Sequence, residues 1–235
     1  MDDGLDVSAG DRTLDVPRSN ADVGARFASL VDAIRDRTRA LHAEAERSGV
    51  VSDLLRGRVD RRSYAALLRN LLPAYRELEN GLERHRSAAG MDGVARPAVY
   101  RSAALESDLA ALCGSDWQQR IEILPAAERY ASTVAEAAAS DGSRLIAHAY
   151  VRYLGDLSGG RILRGIVARA LALEASQLAF YDYPGVANVK ALRTAYRADL
   201  DRAADHASDR ESVIAEAERA FRLNIELSVA IAANR

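Results

Sequence analysis

Residues Tyr150 to Val167 read YVRYLGDLSGGRILRGIV, an apolar pattern of helical period that nevertheless carries glycine at 155, 159, 160 and 165. Each glycine costs a helix about 1 kcal/mol relative to alanine, so each must serve something that a side chain would prevent. A nucleotide loop fails as the explanation. Gly155 to Ile162 runs G-x-x-x-x-G-R-I, whereas a phosphate-binding loop needs Lys followed by Ser or Thr, after a strand. Two readings stay open. Gly155 and Gly159 share a face and could admit a second helix at close range. Alternatively the helix bends and lays bare backbone against a broad, flat ligand, which glycine permits by lacking Cβ and tolerating unusual dihedrals.

Outward from this stretch the chain keeps a helical rhythm. Phe27, Leu30, Val31, Ile34, Leu41 and Ala45 fall three, four or seven apart, which predicts an amphipathic helix from Arg26 to the Ser48-Gly49 stop. A short segment at Val50 to Leu55 precedes a longer helix expected from Asp60 to about Arg86, kinked at Pro73. After a loop at 91–97, helical patterns cover about 98–112, 125–140, 143–172, 188–205 and 209–232. The expectation is an all-α globule of seven or eight helices. Residues 1–23 are rich in Asp, Gly and Ser and lack apolar periodicity, which predicts a disordered leader before a helical domain at 24–235.

Composition agrees with this and narrows the function. Hydrophobic residues make up 49% of the 235 and aromatics 6%, and β-branched runs are scarce, which favours helix over sheet. A net charge of −2 offers no global field for nucleic acid or an anionic membrane. Cys113 stands alone, so there is no internal disulfide framework and a reducing cytoplasmic setting is expected. No apolar run reaches the ~18 residues that span a bilayer, so no membrane anchor is expected.

The segment AHAYVRYLGDLSGG (Ala147 to Gly160) resembles the distal-helix signature of heme oxygenases. The likeness extends in family order to TRALHAEAE (Thr38 to Glu46), AALESDLA (Ala103 to Ala110), PAAERY (Pro125 to Tyr130), AYRADL (Ala195 to Leu200) and AFRLNIEL (Ala220 to Leu227). The resemblance implies a single helical domain with heme between a proximal helix and a kinked distal helix. It also implies oxidative opening of heme to biliverdin, by family default the α isomer, with release of carbon monoxide and ferrous iron. Heme would be both substrate and cofactor, dioxygen the oxidant. Electrons would come from outside, since the chain has no flavin or nicotinamide motif; a ferredoxin or flavodoxin with its reductase is implied. The alternative is a carrier or sensor of the same fold that holds heme without turning it over.

Candidate residues follow from the two lines together. Of the four histidines, His85 sits between Arg84 and Arg86 and His206 beside Asp205, so both read as solvated, while His148 reads as a core histidine. His42 borders the apolar stripe of the first helix, and Glu46 lies four residues on, where a carboxylate could receive the second ring N–H of a metal-bound imidazole. Spacing alone leaves His42 open between a structural and a ligating role; the resemblance implies that it is the axial iron ligand, with Glu46 its partner. The resemblance also implies that Arg35, Arg197 and Tyr150 meet the heme propionates, with Arg193 at a position often held by lysine. Arginine there keeps the charge and adds bidentate hydrogen bonding. Gly155 and Gly159 would touch the porphyrin, and Ser158 and Gly160 would line the bend. Asp156 is costly in an apolar segment unless hydrogen-bonded; it reads either as a salt bridge to Arg152 or, by resemblance, as the anchor of a distal water network with Arg152, Tyr75 and Asn224. Arg161 departs from the pattern, since many members have glutamine there.

Overall fold

The computed structural model describes residues 29–234, so the expected leader at 1–23 and the first turn expected at Arg26 and Phe27 lie outside the described residues. The described residues contain helices and no strand. The first amphipathic stretch forms two helices. Helix α1 (Leu30–Arg37) starts on a Ser29 side chain that accepts from the Asp32 N–H, and it buries Leu30, Val31 and Ile34. It stops at Thr38, whose hydroxyl donates to the Ile34 carbonyl at 2.7 Å. A side chain that bonds back onto the preceding turn competes with the helix ladder. The chain restarts as α2 (Arg39–Ala45), which carries His42.

Helix α3 (Gly49–Leu55) begins at a glycine with φ +52°, where an added Cβ would come within 2.1 Å of the Ser228 carbonyl oxygen. Gly49 therefore lets the start of α3 press against the last helix, and no side chain fits there. Helix α4 (Arg61–Arg84) is capped by Asp60 accepting from the Ser63 N–H and runs through Pro73 without interruption. Helices α5 (Ser102–Cys113), α6 (Trp117–Arg120) and α7 (Pro125–Ala139) follow, the last opening on proline at its first position, where the missing N–H costs nothing. The Glu79 carboxylate of α4 receives the Arg101 and Ser102 N–H groups at 2.6 and 2.9 Å and so pins α5 to α4.

The glycine-bearing stretch is the exceptional one. Helix α8 (Leu145–Ala149) passes into a π-helical turn (Tyr150–Leu154) and then into α9 (Gly155–Leu171), which ends on left-handed Ala172 at φ 51°. The departure from α geometry therefore precedes the first glycine. A π turn holds roughly one extra residue and shifts the helical phase by about 100°, so Tyr150 and Arg152 point where an unbroken α-helix would not aim them. Helices α10 (Val189–Ala204) and α11 (Arg210–Ala233) close the fold, capped by Asn188 and Asp209. Long, wholly buried Tyr64, Tyr75, Tyr130, Tyr153 and Tyr196 lie in the core with the leucines of α4.

Candidate functional site

One cavity of about 730 Å³ opens among α1–α4, the π turn, α9, α10 and α11. That size falls in the range of about 300–1,000 Å³ usual for cofactors and small ligands. Val31, Leu54, Leu67, Leu71, Leu154, Ile162 and Phe221 supply its apolar lining. All but one of the site residues expected from the sequence line it: Arg35, His42, Glu46, Tyr75, Tyr150, Arg152, Gly155, Asp156, Ser158, Gly159, Arg193, Arg197 and Asn224.

The exception is Gly160, which is buried beside the cavity and away from its surface. A Cβ there would lie 3.6 Å from the Tyr181 ring. Consecutive helix residues point about 100° apart, so Gly159 and Gly160 cannot both face the same opening. At Gly155 and Gly159 an added Cβ would meet no heavy atom within 4 Å. This removes the helix-packing reading for both positions, since no second helix presses on them.

His42 presents its ring to the cavity, with 62% of its side chain exposed and its edge on Phe221 at a centroid distance of 5.8 Å. Its Nδ1 lies 3.6 Å from the Glu46 carboxylate, beyond hydrogen-bond length but within reach of an ion pair. The other histidines are placed elsewhere. His148 is 0% exposed, its Nε2 3.0 Å from Glu216 and its Nδ1 without a partner, so it is a core residue as expected. Burial would raise the Glu216 carboxyl, but the hydrogen bond and charge of His148, with Arg219 and Arg144, hold it below its ordinary value. His85 is not solvated as expected: it is half-buried, its Nε2 lies 2.9 Å from the Ala138 carbonyl, and left-handed Gly142 makes room for its ring. The flanking arginines hid this, because the contact comes from the end of α7, remote in sequence. His206 is exposed, as expected.

At the mouth, Asp32 holds two cations, Arg35 at 3.3 Å and Arg197 at 2.8 Å. The Arg197 hydrogen bond is the largest reason that the Asp32 carboxyl sits below its ordinary value. Arg193 stands one turn before Arg197 on α10. Burial raises the Tyr150 phenol, and the positive charges of Arg35 and Arg197 oppose it. Asp32 was not singled out in the sequence. Its spacing to Arg35 was legible, but its bond to Arg197 joins α1 to α10 and needed the fold.

Deeper in, the Tyr75 hydroxyl donates to Asp156 Oδ2 at 2.6 Å. Burial pushes the Asp156 carboxyl above its ordinary value, while the charge of Arg152 and the Tyr75 hydrogen bond pull the other way. The salt bridge read for Arg152 and Asp156 does not form. The Arg152 guanidinium lies over the Tyr75 ring at 5.7 Å, and its buried Nε has no hydrogen-bond partner. Four residues in an α-helix would stack the two side chains on one face, but the π turn lies between them. Asn224 donates to the Tyr130 hydroxyl at 3.0 Å and to the Ala220 carbonyl at 2.7 Å. Tyr130, inside the PAAERY segment but not selected from it, is buried behind the cavity wall and holds Asn224 there.

Comparison with known proteins accords with this geometry. The heme oxygenase family model matches residues 28–230. The chain is 34% identical over 200 residues to heme oxygenase 1 of Nostoc, covering 85% of this chain and 84% of that one. It is 36% identical over 201 residues to human heme oxygenase 1, covering 84% and 70%. The crystal structure of heme oxygenase-1 from the cyanobacterium Synechocystis in complex with heme superposes with a TM-score of 0.81 at 32% identity, covering 88% of this chain and 94% of that one. The matched span covers every residue that lines the cavity, and the chain is an enzyme that belongs to the heme oxygenase family.

Proposed function

We propose that the protein binds heme in this cavity and opens it to biliverdin, the α isomer, with release of carbon monoxide and ferrous iron. The observation that carries the reading is the bare backbone at Gly155 and Gly159, where a Cβ would project into open cavity. A flat macrocycle needs such a cradle, and an apolar cavity with cations at its mouth suits a porphyrin carrying two carboxylates. Bound heme would supply the iron at which dioxygen is reduced and the ring that is oxidised. Electrons would come from a ferredoxin or flavodoxin with its reductase.

The chain's own groups have separable tasks in this reading. His42 would hold the iron, with the Glu46 carboxylate 3.6 Å from its Nδ1, outside hydrogen-bond length but close enough for its charge to raise the basicity of the imidazole. Arg35, Arg193, Arg197 and Tyr150 would bind the propionates, two of the arginines already oriented by Asp32. Ser158 lines the cavity while its hydroxyl donates to the Leu154 carbonyl at 2.6 Å, where the π turn meets α9. Asp156, fixed by Tyr75, would order water between itself, Arg152 and Asn224. Water bridges polar groups with little enthalpic loss, and the unpartnered Nε of Arg152 is a donor awaiting one.

Titration with hemin followed by reduction in air tests the whole. A Soret band should form, then decay into the spectrum of biliverdin. A Soret band that survives reduction would leave a heme carrier, and no band at all would end the reading.

Two substitutions test parts of it. Gly159→Leu should stabilise the heme-free protein by roughly 0.5–1 kcal/mol through helix propensity, since its Cβ would meet no heavy atom within 4 Å and the side chain would enter open cavity. Heme affinity, read by Soret titration, should fall. The double change Arg193→Ala and Arg197→Ala should turn a single biliverdin into a mixture of isomers on chromatography. Hydrogen bonds to charged groups contribute about 1.5–3 kcal/mol each, enough to choose one in-plane orientation of the ring over another.

A further inference from the structure

Tyr75 lines the cavity and is also the first of a string of aromatic rings. Its centroid lies 6.0 Å from that of Tyr153, which lies 6.1 Å from Tyr100 and 6.1 Å from Tyr196. A second branch runs from Tyr75 to Phe180 at 5.8 Å and on to Tyr181 at 5.1 Å. A phenol gives up an electron easily only when its proton has somewhere to go, so the hydroxyl partners separate these branches. Tyr75 donates to Asp156 at 2.6 Å and Tyr100 to Glu83 at 2.7 Å, and both acceptors are carboxylates. Tyr153 is buried with no partner on its hydroxyl, and buried Tyr196 donates only to the Val94 carbonyl. The other branch must cross Phe180, which has no phenol, to reach buried Tyr181. Only the path through Tyr153 to Tyr100 ends at a half-exposed ring beside a base in contact with solvent.

We propose that Tyr75, Tyr153 and Tyr100 form a route that carries oxidising equivalents, generated in the cavity from hydrogen peroxide, to the surface at Tyr100. This is a peroxide-consuming activity separate from ring opening, and it rests on the heme reading, since heme is what would react with the peroxide. The balance is one peroxide and two phenols to two waters and two phenoxyl radicals, with the O–O bond broken by one electron from each phenol and two protons taken from water, matched by the protons that the phenols release to Asp156 and Glu83. Tyr75 releases an electron into the cavity and its proton to Asp156. An electron from Tyr100, crossing the Tyr153 ring, restores Tyr75, which recovers its proton from Asp156, while the Tyr100 proton passes to Glu83 and then to water. Ascorbate in solution returns a hydrogen atom to Tyr100. The route draws a misdirected oxidant away from the buried core.

The test treats the heme complex with hydrogen peroxide in the presence of a nitroso spin trap and maps the adduct by peptide mass spectrometry. The trap should label Tyr100. Tyr100→Phe should abolish that label without changing biliverdin yield in the reductase-driven reaction, and Glu83→Gln should reduce the label while leaving the ring in place. Labelling confined to Tyr75, or to other tyrosines such as Tyr183, overturns the route, as does equal labelling of Tyr100 in heme-free protein. If hemin gives no Soret band, the heme reading falls and the route with it; a normal Soret band without a Tyr100 adduct overturns the route alone.

Discussion

His42→Ala is expected to abolish turnover while leaving the fold intact. The ring is 62% exposed and its one aromatic contact is the edge of Phe221. Such pairs contribute about 0.5–1.5 kcal/mol, so thermal unfolding of the heme-free protein should move by only a few degrees. The loss should appear in the heme complex, whose axial coordination changes and whose conversion to biliverdin stops. Imidazole added to the variant should enter the vacated space and restore part of the activity. Glu46→Gln should be milder: at 3.6 Å from His42 Glu46 would tune the imidazole without holding the iron, and loss of such a partner typically costs about 10–100-fold. An unchanged heme spectrum with full turnover in His42→Ala would dismiss the assignment.

Asp156→Ala is expected to change the product more than the binding. The carboxylate lines the cavity beside the apolar walls and is held by a 2.6 Å hydrogen bond from Tyr75. Its removal leaves the Tyr75 hydroxyl, in a fully buried side chain, without an acceptor, at about 1–3 kcal/mol of stability. Heme affinity should stay close to that of the parent. In the proposed reading protons would reach the reacting oxygen by way of ordered water, and that water would lose its anchor. With hydrogen peroxide the variant should oxidise an added phenol in place of cleaving its own heme, and stopped-flow spectra separate the two fates. Normal biliverdin formation by the Ala variant would reduce Asp156 to a structural partner of Tyr75.

Asp156→Asn adds a signed pH test. The folded Asp156 carboxyl lies above its ordinary 3.8 because burial disfavours the charge. The folded state therefore binds the proton more tightly than the unfolded chain does. Stability from this group is fully present below 3.8 and lost as pH rises through the folded value. Asn cannot ionise, so the variant should gain on the parent at neutral pH, and the gain should vanish in acid. A gain that persists at the lowest pH would mean that charge burial is not its cause.

Much of this was legible because it depends on neighbours in sequence. The caps at Asp60, Asn188 and Asp209 and the apolar period of α4, α7 and α11 act within one turn of their own helix. Quoted motifs then placed ten residues that prove to share one cavity, and Arg35, Tyr75 and Arg193, outside those motifs, join them there. The misplaced details share a cause. Thr38 splits the first helix through its bond to Ile34, and the π turn separates Arg152 from Asp156, so a fixed 3.6-residue period carried the expected faces past both points. Gly160 was grouped with Gly159 although adjacent helical residues diverge by about 100°.

By itself, the sequence determined that the chain is helical and where its long helices run, though not the split at Thr38, the short helix at Trp117–Arg120 or the π turn, and that one helix carries glycines in need of a reason. It also supplied the family likeness, because contiguous segments carry that signature. Only the tertiary structure decided what the glycines face: empty cavity at 155 and 159, the Tyr181 ring at 160. It likewise decided that Asp156 belongs to Tyr75, that His148 belongs to Glu216, and that Asp32 couples α1 to α10. The physical reason is range. Helix propensity and capping are settled among residues up to four apart, whereas the partner of a buried polar group comes from whichever helix packs against it. Here those partners lie 81, 68 and 165 positions away.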